Sequence, residues 1–139
     1  MSASVPASHN DLLVGTYHAV LTTVMPDGTP QSSVVWADYD GEYVIIATTR
    51  ERQKGRNMLG NPNVALLVMD SRDQERWIAL CGVVIDITDE DAEKILDDLT
   101  WRYRGMAHYY GDIFPVEQRE KETRVTVKIQ PVFVKVEIQ

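Results

Sequence analysis

The sequence has 139 residues, 44% of them hydrophobic, and a formal net charge of −7 at pH 7. This length suits one domain with a real core, and the acidic balance excludes a general nucleic-acid binder, which needs a broad basic face. No apolar run approaches the roughly 20 residues of a membrane-spanning helix. The single cysteine, Cys81, and a polar N-terminus without a signal-peptide pattern predict a cytoplasmic protein.

Apolar, β-branched and alternating segments predict a mainly β protein. Six strands are expected, at residues 17–24, 31–39, 43–49, 63–70, 76–87 and 123–138. Turn sequences at residues 25–30 and at Asp40-Gly41 predict that the first three strands form an antiparallel meander. Six antiparallel strands are typical of a closed or nearly closed barrel, since closure removes exposed edges. Residues 1–139 are therefore expected to form one domain, with residues 1–7 as a flexible tail.

Three helical segments interrupt the predicted strands. A short helix is expected over residues 8–13 and another over residues 52–59. A capping box begins a third helix, which is predicted over residues 88–104 and has one apolar face. Residues 106–122 are expected to be irregular and to carry several aromatic side chains.

Residues 43–62 carry the clearest functional pattern. An apolar strand ends in two hydroxyl residues, Thr48 and Thr49, and a helix follows. Four cations follow the strand end, one before the predicted helix and three within it: Arg50, Arg52, Lys54 and Arg56. Hydroxyls, cations and a helix N-terminus together suit an anion such as a phosphate, although a solvated basic turn is the simpler alternative. On an acidic protein, a bound polyanion would relieve the repulsion among these cations.

No side chain in the sequence has the pattern of a catalyst. His9, His18 and His108 are far apart and lack metal-ligand spacing. There is no G-x-S-x-G elbow and no Walker loop. An enzyme without its own catalytic group often takes its chemistry from a cofactor. The sequence therefore predicts a bound cofactor, with neither a metal site nor a catalytic side chain.

Several stretches, in this order and spacing, resemble one known family. They are residues 21–36 (LTTVMPDGTPQSSVVW), 40–43 (DGEY), 48–58 (TTRERQKGRNM), 61–66 (NPNVAL), and Arg76-Trp77-Ile78 followed by Gly82. The chain is similar to the pyridoxamine 5′-phosphate oxidase-like superfamily, from about residue 11 to residue 136, and most similar to its F420-dependent oxidoreductase branch. The resemblance implies a six-stranded antiparallel split β-barrel of the FMN-binding, Greek-key type with a few short helices.

The resemblance also implies a homodimer with cofactor sites at the subunit interface. The cofactor phosphate would lie on residues 48–56, where Lys54 matches the family's phosphate-binding lysine. Ser32, Ser33 and Trp36 match the strand along the tricyclic ring, and Trp77 matches a position that reaches the ring from the other subunit. The pattern and the resemblance together assign these residues to the cofactor: Gln31, Ser32, Ser33, Trp36, Thr48, Thr49, Arg50, Arg52, Gln53, Lys54, Arg56 and Trp77.

The sequence departs from the pyridoxamine oxidases at three places. Gln53-Lys54 stands where they have an Arg-Lys pair, and Ser33 stands at the position of an early strand arginine. The sequence also ends soon after Val136, before their C-terminal substrate-binding segment. The resemblance therefore does not extend to vitamin B6 oxidation.

The leading hypothesis is hydride transfer from reduced coenzyme F420 to a small conjugated substrate. F420 continues past its phosphate into a polyglutamate tail, and Arg50, Arg52 and Arg56 are spare cations that suit this tail. One alternative is an FMN-binding oxidoreductase on the same fold, and another is a non-catalytic flavin or haem carrier or sensor. Ser32 and Ser33 also fit ordinary strand positions, and Trp36 also fits the core.

Overall fold

Seven antiparallel strands form one sheet in the computed structural model, which describes residues 2–137 of the chain. They are β1 (Ala19–Val24), β2 (Pro30–Val35), β3 (Ala37–Tyr39), β4 (Val44–Thr49), β5 (Asn63–Asp70), β6 (Asp73–Thr88) and β7 (Arg124–Glu137). Their order across the sheet is β2-β1-β5-β6-β7-β4-β3. The curled sheet confirms the predicted mainly β split barrel, with seven strands in place of six.

Trp36 divides the predicted second strand into β2 and β3. Val35 ends β2 at one edge of the sheet, and Ala37 begins β3 at the opposite edge. Because two residues of extended chain span at most about 7 Å, the sheet must curl until its two edges approach at this corner. The alternation of burial continues through the corner, since Val35 and Ala37 are both buried, and so the sequence pattern shows no break.

Both predicted hairpins form, but the predicted continuous meander is wrong, because the break at Trp36 separates the β1–β2 hairpin from the β3–β4 hairpin. β2 pairs with β1, but β4 pairs with β3 and β7 instead of β2. β3 is short and reaches only residues 44–46 of β4, so residues 47–49 pair with β7 alone among the described strands. The split of the barrel lies between this open part of β4 and the edge strand β2.

One hydrophobic core fills the inside of the barrel. Alternate residues of the strands point inward, among them the fully buried Leu21, Ile46 and Val127. Helix α1 (Asn10–Val14) adds Leu12 and Leu13 to this core. A second, smaller cluster of Leu96, Tyr109 and Tyr110 lies apart from it, and Trp36 and Ala47 pack against that cluster.

Two longer helices and several helical turns connect the strands. Helix α2 spans Gln53–Gly60 and helix α3 spans Ala92–Arg104, close to the predicted segments. The predicted capping box lies before α3 rather than in it: Thr88 Oγ1 accepts a hydrogen bond from the Glu90 N–H at 3.1 Å. In the segment expected to be irregular, Val116–Lys121 forms a 3-10 helix, whereas Tyr109–Asp112 is a tight turn in which Tyr110 and Gly111 have non-helical backbone angles. A further 3-10 turn spans Ala7–His9.

The first described residues are attached to the sheet. In the segment predicted to be a flexible tail, the Ala3 N–H donates to the Pro131 carbonyl at 2.8 Å, and Val5 packs against the core. Met1 lies outside the described residues, as does Ile138, to which the last strand was predicted to extend. None of the helices within residues 2–137 combines the length and the apolarity that crossing a bilayer requires.

Gly55 allows helix α2 to press against the end of β4. A Cβ atom at residue 55 would lie 2.0 Å from the carbonyl oxygen of Thr49. Thr49 Oγ1 accepts a hydrogen bond from the Arg52 N–H at 3.1 Å, immediately before the helix. These contacts fix the first turn of α2 beside the open part of β4, at the split of the barrel.

The substitution Gly55→Ala should lower the free energy of unfolding by about 1–3 kcal/mol, because the added methyl group overlaps a backbone atom. This loss should occur although alanine ordinarily favours a helix over glycine by about 1 kcal/mol. Gly60→Ala is the matched control, since no atom lies within 4 Å of its added Cβ. Urea unfolding measures both variants, and equal stability of the two would contradict the close contact at Gly55.

Candidate functional site

A cleft with a volume of about 120 Å³ lies at the split of the barrel. Its apolar walls come from strands β2 and β4 and from helix α3. The lining residues are Val34, Val35, Ala47 and Leu96, the ring side chains His18, Trp36 and Tyr109, and the cations Arg52, Lys54 and Arg124. We call the last three the cationic cluster. The cleft thus combines three positive charges with aromatic and apolar surface.

Lys54 extends from the first turn of α2 across the cleft to β2. Its Nζ donates a hydrogen bond to Ser33 Oγ at 2.9 Å. Burial lowers the pKa of the Lys54 amine, and the nearby charges of Arg52 and Arg124 lower it further. No carboxylate within residues 2–137 forms an ion pair with Lys54. The amine therefore carries a charge that is repelled by its neighbours.

Arg124 lies between two tyrosine rings and Glu122. Its guanidinium carbon is 4.5 Å from the ring centre of Tyr109 and 5.6 Å from that of Tyr110. Its Nε donates to the Tyr110 hydroxyl at 2.9 Å, and that hydroxyl donates to Glu122 Oε2. Burial and the bond to Glu122 raise the pKa of Tyr110 to about 12. The buried Nη2 of Arg124 has no hydrogen-bond partner in the described part of the chain.

Trp36 is held rigidly at the corner of the barrel. Its ring stacks on Tyr103, with 5.2 Å between ring centres and 11° between planes, and the ring of Tyr109 is nearly perpendicular to it, with 6.4 Å between ring centres. The Tyr103 hydroxyl accepts from the Ala37 N–H at 3.2 Å and lies 3.0 Å from the carbonyl oxygen of Tyr17. Tyr103 thereby ties α3 to the corner and fixes the aromatic wall of the cleft.

A chain of side-chain hydrogen bonds connects helix α2 to strands β1 and β2. Asn57 Nδ2 donates to Thr23 Oγ1 at 3.0 Å, and Thr23 Oγ1 donates to Gln31 Oε1 at 3.2 Å. On the other side, Gln53 Nε2 donates to Asn57 Oδ1 at 2.7 Å, and Arg56 donates to Gln53 Oε1 at 2.6 Å. Gln31, Gln53 and Arg56 therefore lie beside the cleft, where they hold α2, rather than lining it.

Other residues that the sequence assigns to a cofactor lie away from the cleft. Thr48 faces the barrel interior opposite Val125, and its buried Oγ1 has no hydrogen-bond partner among the described residues. Arg50 is held at its backbone, where its N–H donates to the Thr123 carbonyl at 3.0 Å. Ser32 and Trp77 lie on the outer face of the sheet, beside a shallow apolar groove. Of the twelve assigned residues, the structure places three on the cleft wall: Trp36, Arg52 and Lys54.

The cleft also contains residues that sequence reasoning missed. His18, Leu96, Tyr109 and Arg124 line it, although they come from four separate parts of the chain. The sequence shows the aromatic residues near position 109 as a group, but no local pattern connects Arg124 to the basic stretch more than 60 residues earlier. Within the described residues, no group of three or more His, Cys, Asp or Glu side chains could hold a metal ion.

Comparison with known proteins identifies the family. A sequence model described as Pyridoxamine 5′-phosphate oxidase matches residues 5–136, and the chain belongs to this family. The pyridoxine/pyridoxamine 5′-phosphate oxidase of Microcystis aeruginosa is 28% identical over 85 residues, which are 60% of this chain and 39% of that protein. That of Nostoc punctiforme is 31% identical over 78 residues, 55% of this chain and 36% of that protein. The chain thus spans less than two fifths of the length of these curated relatives.

Solved structures show the same fold over nearly the whole chain. A structure named F420 reductase is 32% identical and covers 94% of this chain and 98% of its own, with a TM-score of 0.81. A conserved hypothetical protein from Mycobacterium tuberculosis is 24% identical, covers 98% and 86%, has a TM-score of 0.73, and shows the fold alone. Fold and family together define the class of the protein, a split barrel of the pyridoxamine 5′-phosphate oxidase family.

Proposed function

We propose that the protein binds reduced coenzyme F420 in the cleft and transfers a hydride from it to a small conjugated substrate. The observation that carries this proposal is the cationic cluster of Arg52, Lys54 and Arg124, placed on a cleft with aromatic and apolar walls. A tricyclic cofactor with a phosphate needs both kinds of surface. Similarity to an F420 reductase at 32% identity over 94% of the chain supports the choice of F420.

The cationic cluster fits an anionic group. The Lys54 amine has a lowered pKa because of burial and of the charges of Arg52 and Arg124. The buried Nη2 of Arg124 lacks a hydrogen-bond acceptor within residues 2–137. A phosphate would supply both the missing negative charge and the missing acceptors. Arg52, Lys54 and Arg124 are the residues that would hold it.

The remaining assigned residues have separate parts in this proposal. Trp36 offers a fixed ring face for the tricyclic ring, and Ser33 holds the Lys54 amine in place. The acidic tail of F420 would run along the exposed side of α2, toward Arg56 and the nearby Arg50. Gln31 and Gln53 contribute through the hydrogen bonds that hold α2.

The chemistry needs no catalytic side chain of the protein. When bound, reduced F420 supplies the hydride for an electrophilic carbon of the substrate. The chain orients the reactants, because the cationic cluster fixes one end and Trp36 and Tyr109 form the wall at the ring. Leu96 and the apolar residues of β2 exclude water from that space.

FMN is the second candidate cofactor, and the charge of the cluster favours it. Three cations and the carboxylate of Glu122 leave two positive charges without a partner among the described residues. A phosphate monoester such as that of FMN is close to a dianion at neutral pH. The phosphate of F420 is a diester with one charge, and its other negative charges lie on the tail.

We also propose that a second copy of the chain completes the site. Trp77 lies on the outer face of the sheet, and exposed apolar side chains surround it. Leu67 is 38% exposed, Met69 42% and Phe133 60%. Such exposed apolar surface is typical of an interaction site. If the outer faces of two copies pack together, we expect Trp77 of one copy to lie near the cleft of the other.

Light scattering at micromolar concentration should show a dimer for the wild-type protein. Phe133→Glu should yield a monomer, because a charge in an apolar interface loses its hydration. Val116→Glu is the matched control: Val116 is 50% exposed on a different part of the surface, and this variant should remain a dimer. A monomeric wild-type protein would count against the shared site.

Fluorescence titrations with F420 and FMN at two salt concentrations test the choice of cofactor. F420 should bind more tightly than FMN at low salt and lose part of this advantage at high salt, since salt screens exposed tail contacts. The double variant Arg50→Ala/Arg56→Ala should reduce the affinity advantage of F420 over FMN, because these two cations lie beside the proposed path of the tail and away from the phosphate. The control Arg104→Ala/Lys121→Ala removes the same charge from exposed positions elsewhere. It should leave the difference in affinity between F420 and FMN unchanged.

Tighter binding of FMN under both salt conditions would reject F420 and leave the FMN oxidoreductase. Binding of either cofactor without reduction of any conjugated acceptor would favour the third hypothesis, a carrier or sensor without turnover.

A further inference from the structure

Glu122 is the one carboxylate among the described residues that forms an ion pair with the cationic cluster. It lies between the 3-10 helix Val116–Lys121 and strand β7, and its side chain is 11% exposed. Oε2 accepts the Tyr110 hydroxyl and lies 3.6 Å from Arg124 Nη2. Oε1 accepts Gln118 Nε2 at 3.1 Å and lies 3.9 Å from Arg52 Nη2. Each oxygen therefore has one hydrogen bond and one guanidinium group beside it.

The Glu122 carboxylate stays ionised in this environment. Burial disfavours its charged form, but hydrogen bonds from Tyr110 and Gln118 and the charges of Arg124 and Arg52 outweigh burial and lower its pKa. A fixed negative charge therefore lies just behind the cations that would receive a phosphate.

The two arginines are held by Glu122 to different degrees. The side chain of Arg124 is 8% exposed and packs on Tyr109 at 4.5 Å, so it is fixed independently of the carboxylate. The side chain of Arg52 is 43% exposed and meets Glu122 at 3.9 Å without a hydrogen bond. Of the two, Arg52 has the weaker contact and the greater freedom to turn toward a ligand.

We propose that Glu122 is the internal counter-ion of the phosphate site. In the absence of ligand Glu122 pairs with Arg52, and a bound phosphate replaces Glu122 as the partner of Arg52. This inference rests on the proposed function, since it concerns the same anion site. Glu122 competes with the ligand for Arg52 and repels its charge, and it therefore limits the affinity of the site. Because the repulsion grows with the charge of the ligand, Glu122 acts more strongly against a phosphate dianion than against a monoanion.

Glu122 thereby determines which phosphates the site accepts. With the Glu122 carboxylate present, the site favours a phosphate monoester over a diester in affinity by less than it would if the three cations had no carboxylate beside them. A cofactor whose phosphate is a diester can then compete with one that ends in a monoester. The carboxylate is a specificity-determining residue, and its contact with Arg52 is the part that changes on binding.

The substitution Glu122→Gln tests this role, because glutamine retains an acceptor for Tyr110 and removes the charge. The matched control is Glu120→Gln, which removes the same charge two residues away at an exposed position. Calorimetry at pH 8 measures binding of inorganic phosphate, mostly a dianion, and of dimethyl phosphate, a monoanion. Relative to Glu120→Gln, Glu122→Gln should bind phosphate about tenfold more tightly and dimethyl phosphate about threefold more tightly.

Equal affinities in the two variants, or weaker binding in Glu122→Gln, would overturn the counter-ion role and leave Glu122 as a support for Arg124 and Tyr110. If the wild-type protein binds F420 or FMN while the two variants match, only the role of Glu122 fails. If the wild-type protein binds neither cofactor nor phosphate, the proposed function and this inference fail together.

A wild-type measurement covers the case in which Glu122→Gln does not fold. In a crystal structure of the wild-type protein with phosphate bound, Arg52 should contact the phosphate and lie beyond the roughly 4 Å ion-pair distance from Glu122. Arg124 should remain on Tyr109. A phosphate bound by Lys54 while Arg52 keeps its contact with Glu122 would overturn the proposal.

Discussion

The corner at Trp36 is the constraint on which the rest of the structure depends. One extended segment supplies both edge strands of the sheet, so Val35 and Ala37 belong to opposite edges although they are two residues apart. The sheet can satisfy this connection only by curling. Since β3 is too short to cover all of β4, the curled sheet stays open beside residues 47–49. That opening is the cleft, and Trp36 is both the corner and part of its wall.

The same geometry explains how an acidic protein holds three cations in one place. Gly55 lets α2 approach the Thr49 carbonyl, and this contact sets Arg52 and Lys54 at the opening. Arg124 arrives from β7 and is stabilised by the faces of Tyr109 and Tyr110. The carboxylate of Glu122 offsets part of this charge. The three cations repel one another and are only partly neutralised, so the cluster lowers the free energy of unfolding. Such an unfavourable charge arrangement is typical of a binding site.

The sequence predicted local features well and long-range ones poorly. Helix α2 and the Asp40-Gly41 hairpin follow from turn and helix signals within a few residues. The break at Trp36 could not be predicted, because inward-facing residues alternate through the corner as they would along one strand. Lys54 and Arg52 were found from their basic stretch, whereas Arg124, Tyr109 and Glu122 join them only through sheet pairing and the turns after α3. Ser32 was grouped with Ser33 by sequence, yet adjacent residues of a strand face opposite sides of the sheet.

The affinity of Lys54→Met for F420 and for FMN tests the central claim most directly, with the exposed Lys121→Met as the control for lost charge. If Lys54 neutralises the cofactor phosphate, the variant should bind both cofactors about 30- to 1000-fold more weakly, which corresponds to about 2–4 kcal/mol for a charge-assisted contact in a partly buried site. Its free energy of unfolding without ligand should stay the same or rise, because repulsion from Arg52 and Arg124 is relieved. Cofactor affinities equal to those of Lys121→Met would contradict the assignment of the cleft as the phosphate site.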